Sequence, residues 1–304
     1  MRVYARVGVS MFNFYYFLFL ALLLTIFAIA VAVCRRMGKG WTWRFLLIMA
    51  WSNFILHFAK QLAPSYIRRW PWILAKSSAE NLCALLIIAS PFILLWGGKL
   101  LKDYFYYVGS LSALLATLVP TGPLVEDISS IDGFLETMRY YICHVPLLIQ
   151  GFLLVDMGFH KLSYRRLWAI PLLFCAAEAI IFLDTTLMNV CFRTFGWEDW
   201  LSRANGFMNA GFALGPAPSF DRALGWLYPF LIPYLQTYKN AEGELAFTPI
   251  LNLLLPLYVA TAIFGPLLCY PFDKDEMRID FVAYKQRLAM AKEEKALRKR
   301  LRNR

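Results

Sequence analysis

The sequence predicts an all-α membrane protein, a polytopic helix bundle of about seven transmembrane helices. Three observations carry that prediction. Of 304 residues, 60% are hydrophobic and only 17% are charged, where a soluble domain has about a quarter charged residues. The apolar residues come in continuous uncharged runs, which suit spanning helices and not a barrel. The net charge of +11 is concentrated, because residues 274–304 hold 11 Lys/Arg against 5 Asp/Glu. Such a tail marks orientation in a membrane and not a nucleic-acid surface. The composition excludes disorder and a fibre, and it argues against a water-soluble enzyme.

A bilayer core of about 30 Å needs about 20 helical residues. The run Val7–Cys34 is uncharged and closes on Arg35-Arg36. Its apolar part is too long for a signal peptide and has no small-residue cleavage pattern, so it is span one. Span two is Trp41–Ala59, followed by a basic, aromatic loop with Pro64, Arg68, Arg69, Pro71 and Lys76. Span three runs from Ala79 to Gly97-Gly98, and span four from Tyr104 to Val119, stopped by Pro120. An acidic loop, Glu126–Asp132, leads into span five, Phe134–Asp156. Span six, Leu167–Phe192, contains Glu178 and Asp184.

Residues 193–245 are irregular, rich in Gly, Ala and Pro over Asn205–Ser219 and aromatic over Trp226–Tyr238. A re-entrant or interfacial segment at 200–240 is expected, since irregular backbone at depth needs protein or water beside it. The last span is Phe247–Pro271. The chain therefore divides into a bundle, 1–272, and a basic tail, 273–304. In the tail Phe281, Leu288, Met290, Leu297 and Leu301 recur among Lys and Arg without Gly or Pro. An amphipathic cytoplasmic helix is expected there, either an anchor on anionic headgroups or a docking site for a cytoplasmic partner. The loops Arg35–Arg44, Lys99–Lys102 and Lys161–Arg166 join the tail in the cytoplasm, which puts the N-terminus outside. Arg68, Arg69 and Lys76 run against that assignment.

Ionisable groups inside spans are costly and mark candidate sites. Here they are His57, Glu80, Cys83, His144, Glu178 and Asp184. Cys83 lies about one turn into span three, His144 about ten residues into span five, and Asp184 at comparable depth in span six. A thiol nucleophile, an imidazole base and an orienting acid form the logic of covalent acyl transfer. Cys83 and His144 are expected within hydrogen-bond or one-water reach, and Asp184 is expected to face the interior. The competing reading is structural: a membrane cysteine usually packs as a small apolar residue, Glu178 can bridge to a neighbouring cation, and His57 can sit at the boundary. Cys34, Cys83, Cys143, Cys175, Cys191 and Cys269 lack zinc or disulfide spacing. No phosphate loop or nucleophile elbow is present. Membrane lipids are the expected partners, with no cofactor, no metal and no nucleic acid; the oligomeric state is open.

Five segments together resemble a known family. They are Ser78-Ala79-Glu80-Asn81-Leu82-Cys83, Gly109 to Leu115 with Val119-Pro120 after it, Tyr140-Tyr141-Ile142-Cys143-His144, Asn189-Val190-Cys191-Phe192 and Trp226-Leu227-Tyr228-Pro229. Their order over about 45–270 is similar to that of the YwaF-type integral membrane proteins, which include animal transmembrane protein 164. The resemblance implies a compact bundle of six to seven spans in a bacterial cell membrane. It also implies cysteine-dependent transfer of fatty acyl groups between phospholipids, or lipid-ester hydrolysis. Cys83 would be the nucleophile, His144 its base and Asn189 a cavity group for the acyl carbonyl. Glu80 and Asn81 stand where the family has Pro and His. The alternatives are a transporter coupled to protons through Glu178 and Asp184, and a non-enzymatic scaffold.

Overall fold

The computed structural model describes residues 8–120, 127–193, 201–205, 208–209 and 211–302. Val7, residues 121–123, Glu126 and residues 194–200, 206–207 and 210 lie outside the described residues.

Helix α1, Phe14–Met37, starts where the Asn13 side chain accepts the Tyr16 N–H at 2.9 Å and ends at Gly38, with φ 80°. Helix α2 is Lys39–Ala59, and a short helix α3, Pro64–Ile67, sits in the loop after it. Helix α4 is Leu82–Trp96 and begins later than the apolar run does, because the Asn81 side chain caps it by accepting the Ala84 N–H at 2.9 Å. At 15 residues it spans only about 22 Å.

The fourth run is helical from Lys99 to Leu118 in three pieces: α5, Lys99–Tyr104, a π-helical segment Phe105–Ser110, and α6, Leu111–Leu118. Helix α7, Ile131–Asp156, is capped by Ser130, and α8 is Ala169–Phe192. A short helix α9, Asp221–Leu224, precedes an antiparallel hairpin of β1, Thr237–Lys239, and β2, Leu245–Phe247. Helix α10 runs from Leu254 to Arg302 and breaks at Asp273, with φ −134° and ψ 19°.

Helices cover all seven predicted runs. Five of them are long and apolar enough to cross a membrane by length and composition: those over α1, α2, α7, α8 and α10. Helix α7 is the centre of the bundle, with 56% of its apolar window buried against 22% for α1 and 11% for α10. It lies close to the π-helical segment because Gly151 has no side chain; a Cβ there would stand 2.0 Å from the Ser110 Oγ.

Ion pairs mark the two ends of the bundle. At one end Arg35 closing α1 meets Asp156 closing α7 at 2.6 Å, and Asp103 of α5, fully buried, takes His160 Nε2 at 2.7 Å and Arg166. The tail docks at this end through Arg165–Asp280 at 2.7 Å and Lys161–Glu276. At the opposite end Arg68 reaches Asp132 at 2.7 Å, beside the start of α7.

Candidate functional site

Asn81, by capping α4, sets the direction of its first turn, and Cys83 belongs to that turn. The Cys83 thiol is half-buried and faces the Ser112 hydroxyl of α6, with Cys143 of α7 nearby. His144 of α7 has Nδ1 2.6 Å from the Tyr140 carbonyl oxygen. A carbonyl only accepts, so Nδ1 carries the proton and Nε2 of the neutral ring presents its lone pair. The Tyr140 ring lies 4.3 Å from the His144 ring, and its hydroxyl donates to the Ala116 carbonyl at 2.9 Å.

That last bond fixes the register of α6 on α7. Ser112 is one turn from Ala116 and His144 one turn from Tyr140, in antiparallel helices. His144 and Ser112 therefore share a level, and Cys83 faces Ser112. Cys83 and His144 make no hydrogen bond with each other. Nucleophile and base often tighten only around a bound substrate.

An apolar cavity of about 340 Å³ opens on the Leu82 and Ser112 side of the thiol, with neither Cys83 nor His144 in its wall. Leu82 and Ser112, the immediate neighbours of the thiol, belong to its wall. The rest of the wall comes from the π-helical segment, Leu111 and Leu115 of α6, the first half of α8, Gly211-Phe212 and the apolar half of α10. Glu178 also lines it, 1% exposed, with both carboxyl oxygens unpartnered among the described residues.

The other predicted residues stand apart from this chamber. Glu80 is buried and pairs with Lys76 at 2.8 Å in the loop before α4. Asp184 is half-buried, with Oδ2 unpartnered among the described residues, and does not line the cavity. Asn189 is 1% exposed in the last turns of α8 and likewise lies outside the cavity wall.

A polar cluster at the same end of the bundle is more developed than the sequence reading of His57 as a boundary residue suggests. His57 is buried, with Nε2 3.2 Å from the Ser77 carbonyl and 3.3 Å from that of Ser78. Arg139 pairs with Glu136 at 2.7 Å and stacks 5.9 Å from the Tyr66 ring centroid. Lys60 lies among Glu80, Arg139 and Cys143 and makes no ion pair within the described residues. The sequence signal for this cluster is Glu136 with Arg139, three apart in the opening turns of an otherwise apolar helix.

Outside the spans, Arg203 binds Asp221 through two nitrogens at 3.0 and 3.1 Å, and the Tyr228 hydroxyl donates to the same carboxylate at 2.7 Å. The Arg203 guanidinium holds that carboxyl below its ordinary value, with Tyr228 adding to the effect. No group of three or more His, Cys, Asp or Glu among the described residues has metal-binding geometry.

No curated protein and no solved structure matches the chain. The sequence pattern of the TMEM164 family matches residues 8–232, from the start of α1 to beyond α9. Every candidate residue named above, from His57 and Cys83 to Asp221, falls within that match. With this coverage and a bundle of membrane-spanning helices, the chain belongs to the TMEM164 family of multi-pass integral membrane proteins.

Proposed function

We propose that the protein is an intramembrane acyltransferase that moves a fatty acyl group from one lipid to another through Cys83. The observation that carries this reading is a thiol whose neighbours Leu82 and Ser112 line an apolar cavity, level with an imidazole whose Nε2 is available as a base. The ester carbonyl of the acyl donor reaches Cys83 beside Leu82 and Ser112, at the edge of the cavity. His144 Nε2 removes the thiol proton as Sγ attacks the carbonyl carbon. The ester C–O bond breaks, and the departing lysolipid oxygen takes the proton back from the imidazolium. A hydroxyl of the acceptor lipid then attacks the thioester, giving its proton to His144. The C–S bond breaks and the Cys83 thiolate recovers that proton. An ester is consumed and an ester is formed, so no energy source is needed.

Lys60 supplies positive charge for a donor phosphate at the loop end of the site. In this reading the N-terminus and the loop end face outside, and the basic tail faces the cytoplasm. The Glu178 carboxyl and the Oδ2 of Asp184, unpartnered among the described residues, favour a second reading, proton-coupled transport.

The test is transfer of a labelled acyl chain from phosphatidylcholine to a lysophospholipid by the full chain in lipid nanodiscs. Transfer is expected from the wild type and from Cys143→Ala and is abolished in Cys83→Ala. Full activity of Cys83→Ala overturns the proposal. Proton-driven uptake by vesicles in the absence of any transfer supports the second reading.

A further inference from the structure

Glu178 is the carboxyl side chain of a cavity wall that is otherwise apolar apart from the hydroxyls of Tyr107, Ser112 and Thr261. A carboxyl withdrawn from water without a hydrogen-bond partner is strongly unfavourable. Yet Glu178 is 1% exposed, and neither oxygen has a partner among the described residues. On one side it is held by backbone: a Cβ at Gly211 would stand 2.0 and 2.1 Å from its two oxygens, so only glycine lets the carboxyl remain where it is. On its other side lies the cavity.

The shape and chemistry of that space specify the ligand. The wall follows α10 from Leu257 to Leu268, a length of about 16 Å at the rise of a helix. A volume of about 340 Å³ is at the small end of ligand pockets, which suits one chain and not two. Almost the whole lining is apolar, so the ligand is apolar along its length, and Glu178 requires a hydrogen-bond donor at one point. An amine would bury an ion pair and strip water from both charges. A hydroxyl gives up less solvation and both donates and accepts, so it can serve both oxygens of the carboxyl, whereas an ester or ether only accepts and leaves the carboxyl's carbonyl oxygen without a donor.

We infer that this cavity binds a single-chain lipid alcohol whose hydroxyl donates to Glu178. Its role as the acyl acceptor rests on the acyl-transfer reading above, but the binding itself does not. Glu178 then selects lipids with a free hydroxyl over their capped counterparts.

The experiment uses the full chain in nanodiscs and a 1-monoacylglycerol with a photoreactive diazirine in its chain. A matched probe has both hydroxyls methylated. Irradiation of the wild type is expected to label cavity residues on α8 and α10 with the alcohol, at least about tenfold more than with the methylated probe. Glu178→Leu removes that preference, and Glu178→Gln, whose carbonyl still accepts, keeps most of it. Gly211→Ala, which thrusts a methyl onto the carboxyl, weakens labelling without altering Glu178 itself.

Equal labelling by the alcohol and methylated probes on the wild type overturns the inference, and that comparison stands even where Glu178→Leu fails to fold. An unchanged preference in a folded Glu178→Leu also overturns it. Hydroxyl-dependent labelling in a protein that forms no thioester on Cys83 upholds the site and removes the acyl-transfer role.

Discussion

Cys83 has a serine hydroxyl and a second cysteine for neighbours, and the imidazole at its level is held by its own helix. His144 spends Nδ1 on the Tyr140 carbonyl, so only Nε2 is left for chemistry. His144→Asn keeps an amide donor for that carbonyl and removes the base. A general base contributes about 10²- to 10⁴-fold. The expected result is a fall in kcat/KM of at least about 100-fold with unchanged elution on size exclusion; loss of folding instead would assign His144 to the scaffold. Residue types and spacing made Cys83 and His144 legible as candidates in the sequence. The chamber beside them was not legible, because it is walled by Leu, Ile and Phe that read like any lipid-facing residue. Glu178 and Asp184 lie six residues apart, about 120° around a helix, and only Glu178 reaches the cavity. Periodicity separates their faces but does not say which face meets a void.

Among the elements, α4 depends most on one side chain. Asn81 satisfies the Ala84 N–H at a helix end near the membrane boundary, where an unsatisfied donor is costly. Asn81→Ala is expected to lower stability by about 1 kcal/mol, read as a lower melting temperature in detergent, and to reduce transfer further by loosening the turn that holds Cys83. An unchanged melting temperature would remove the cap from the account.

The segment around α9 has its own pH dependence. Arg203 keeps the Asp221 carboxyl below its ordinary value, so the pair stabilises the folded segment fully above about pH 3.9. That contribution fades as the pH falls through the lowered folded value. The protection of residues 211–230 against hydrogen exchange, taken relative to the intrinsic rate at each pH, is expected to fall on acidification in the wild type, and Asp221→Asn is expected to be weakly protected at neutral pH already. The tail is fastened by Arg165 and Lys161 to Asp280 and Glu276. Changing both cations to Ala is expected to free residues 276–290 to exchange while the spans stay protected.

At the scale of the whole molecule, the long uncharged runs were enough to reveal the helices, because a bilayer imposes one length and one hydrogen-bonding solution on them. Two features escaped that logic. The short α4 follows from Asn81 before it and Gly97-Gly98 after it. The π-helical break at Phe105–Ser110 lies where α7 presses closest, at Gly151, and close packing leaves no mark in a hydropathy pattern. The exposed faces of α1 and α10 carry large apolar side chains such as Phe17, Leu18, Ile263 and Phe264, as helices in contact with lipid require. The apolar half of α10 joins α6, α8 and the π-helical segment around the cavity, whose apolar wall would keep water from the proposed thioester. A thioester on Cys83 is therefore the intermediate on which the account stands. Brief exposure of the wild type to a phospholipid with a labelled acyl chain, then proteolysis and mass spectrometry, tests it directly. The account predicts a hydroxylamine-sensitive acyl group on the peptide containing Cys83, accumulating when no acceptor is supplied and discharged when a lysolipid is added. Transfer that proceeds with Cys83 unmodified, or an acyl group carried on another cysteine, would contradict it.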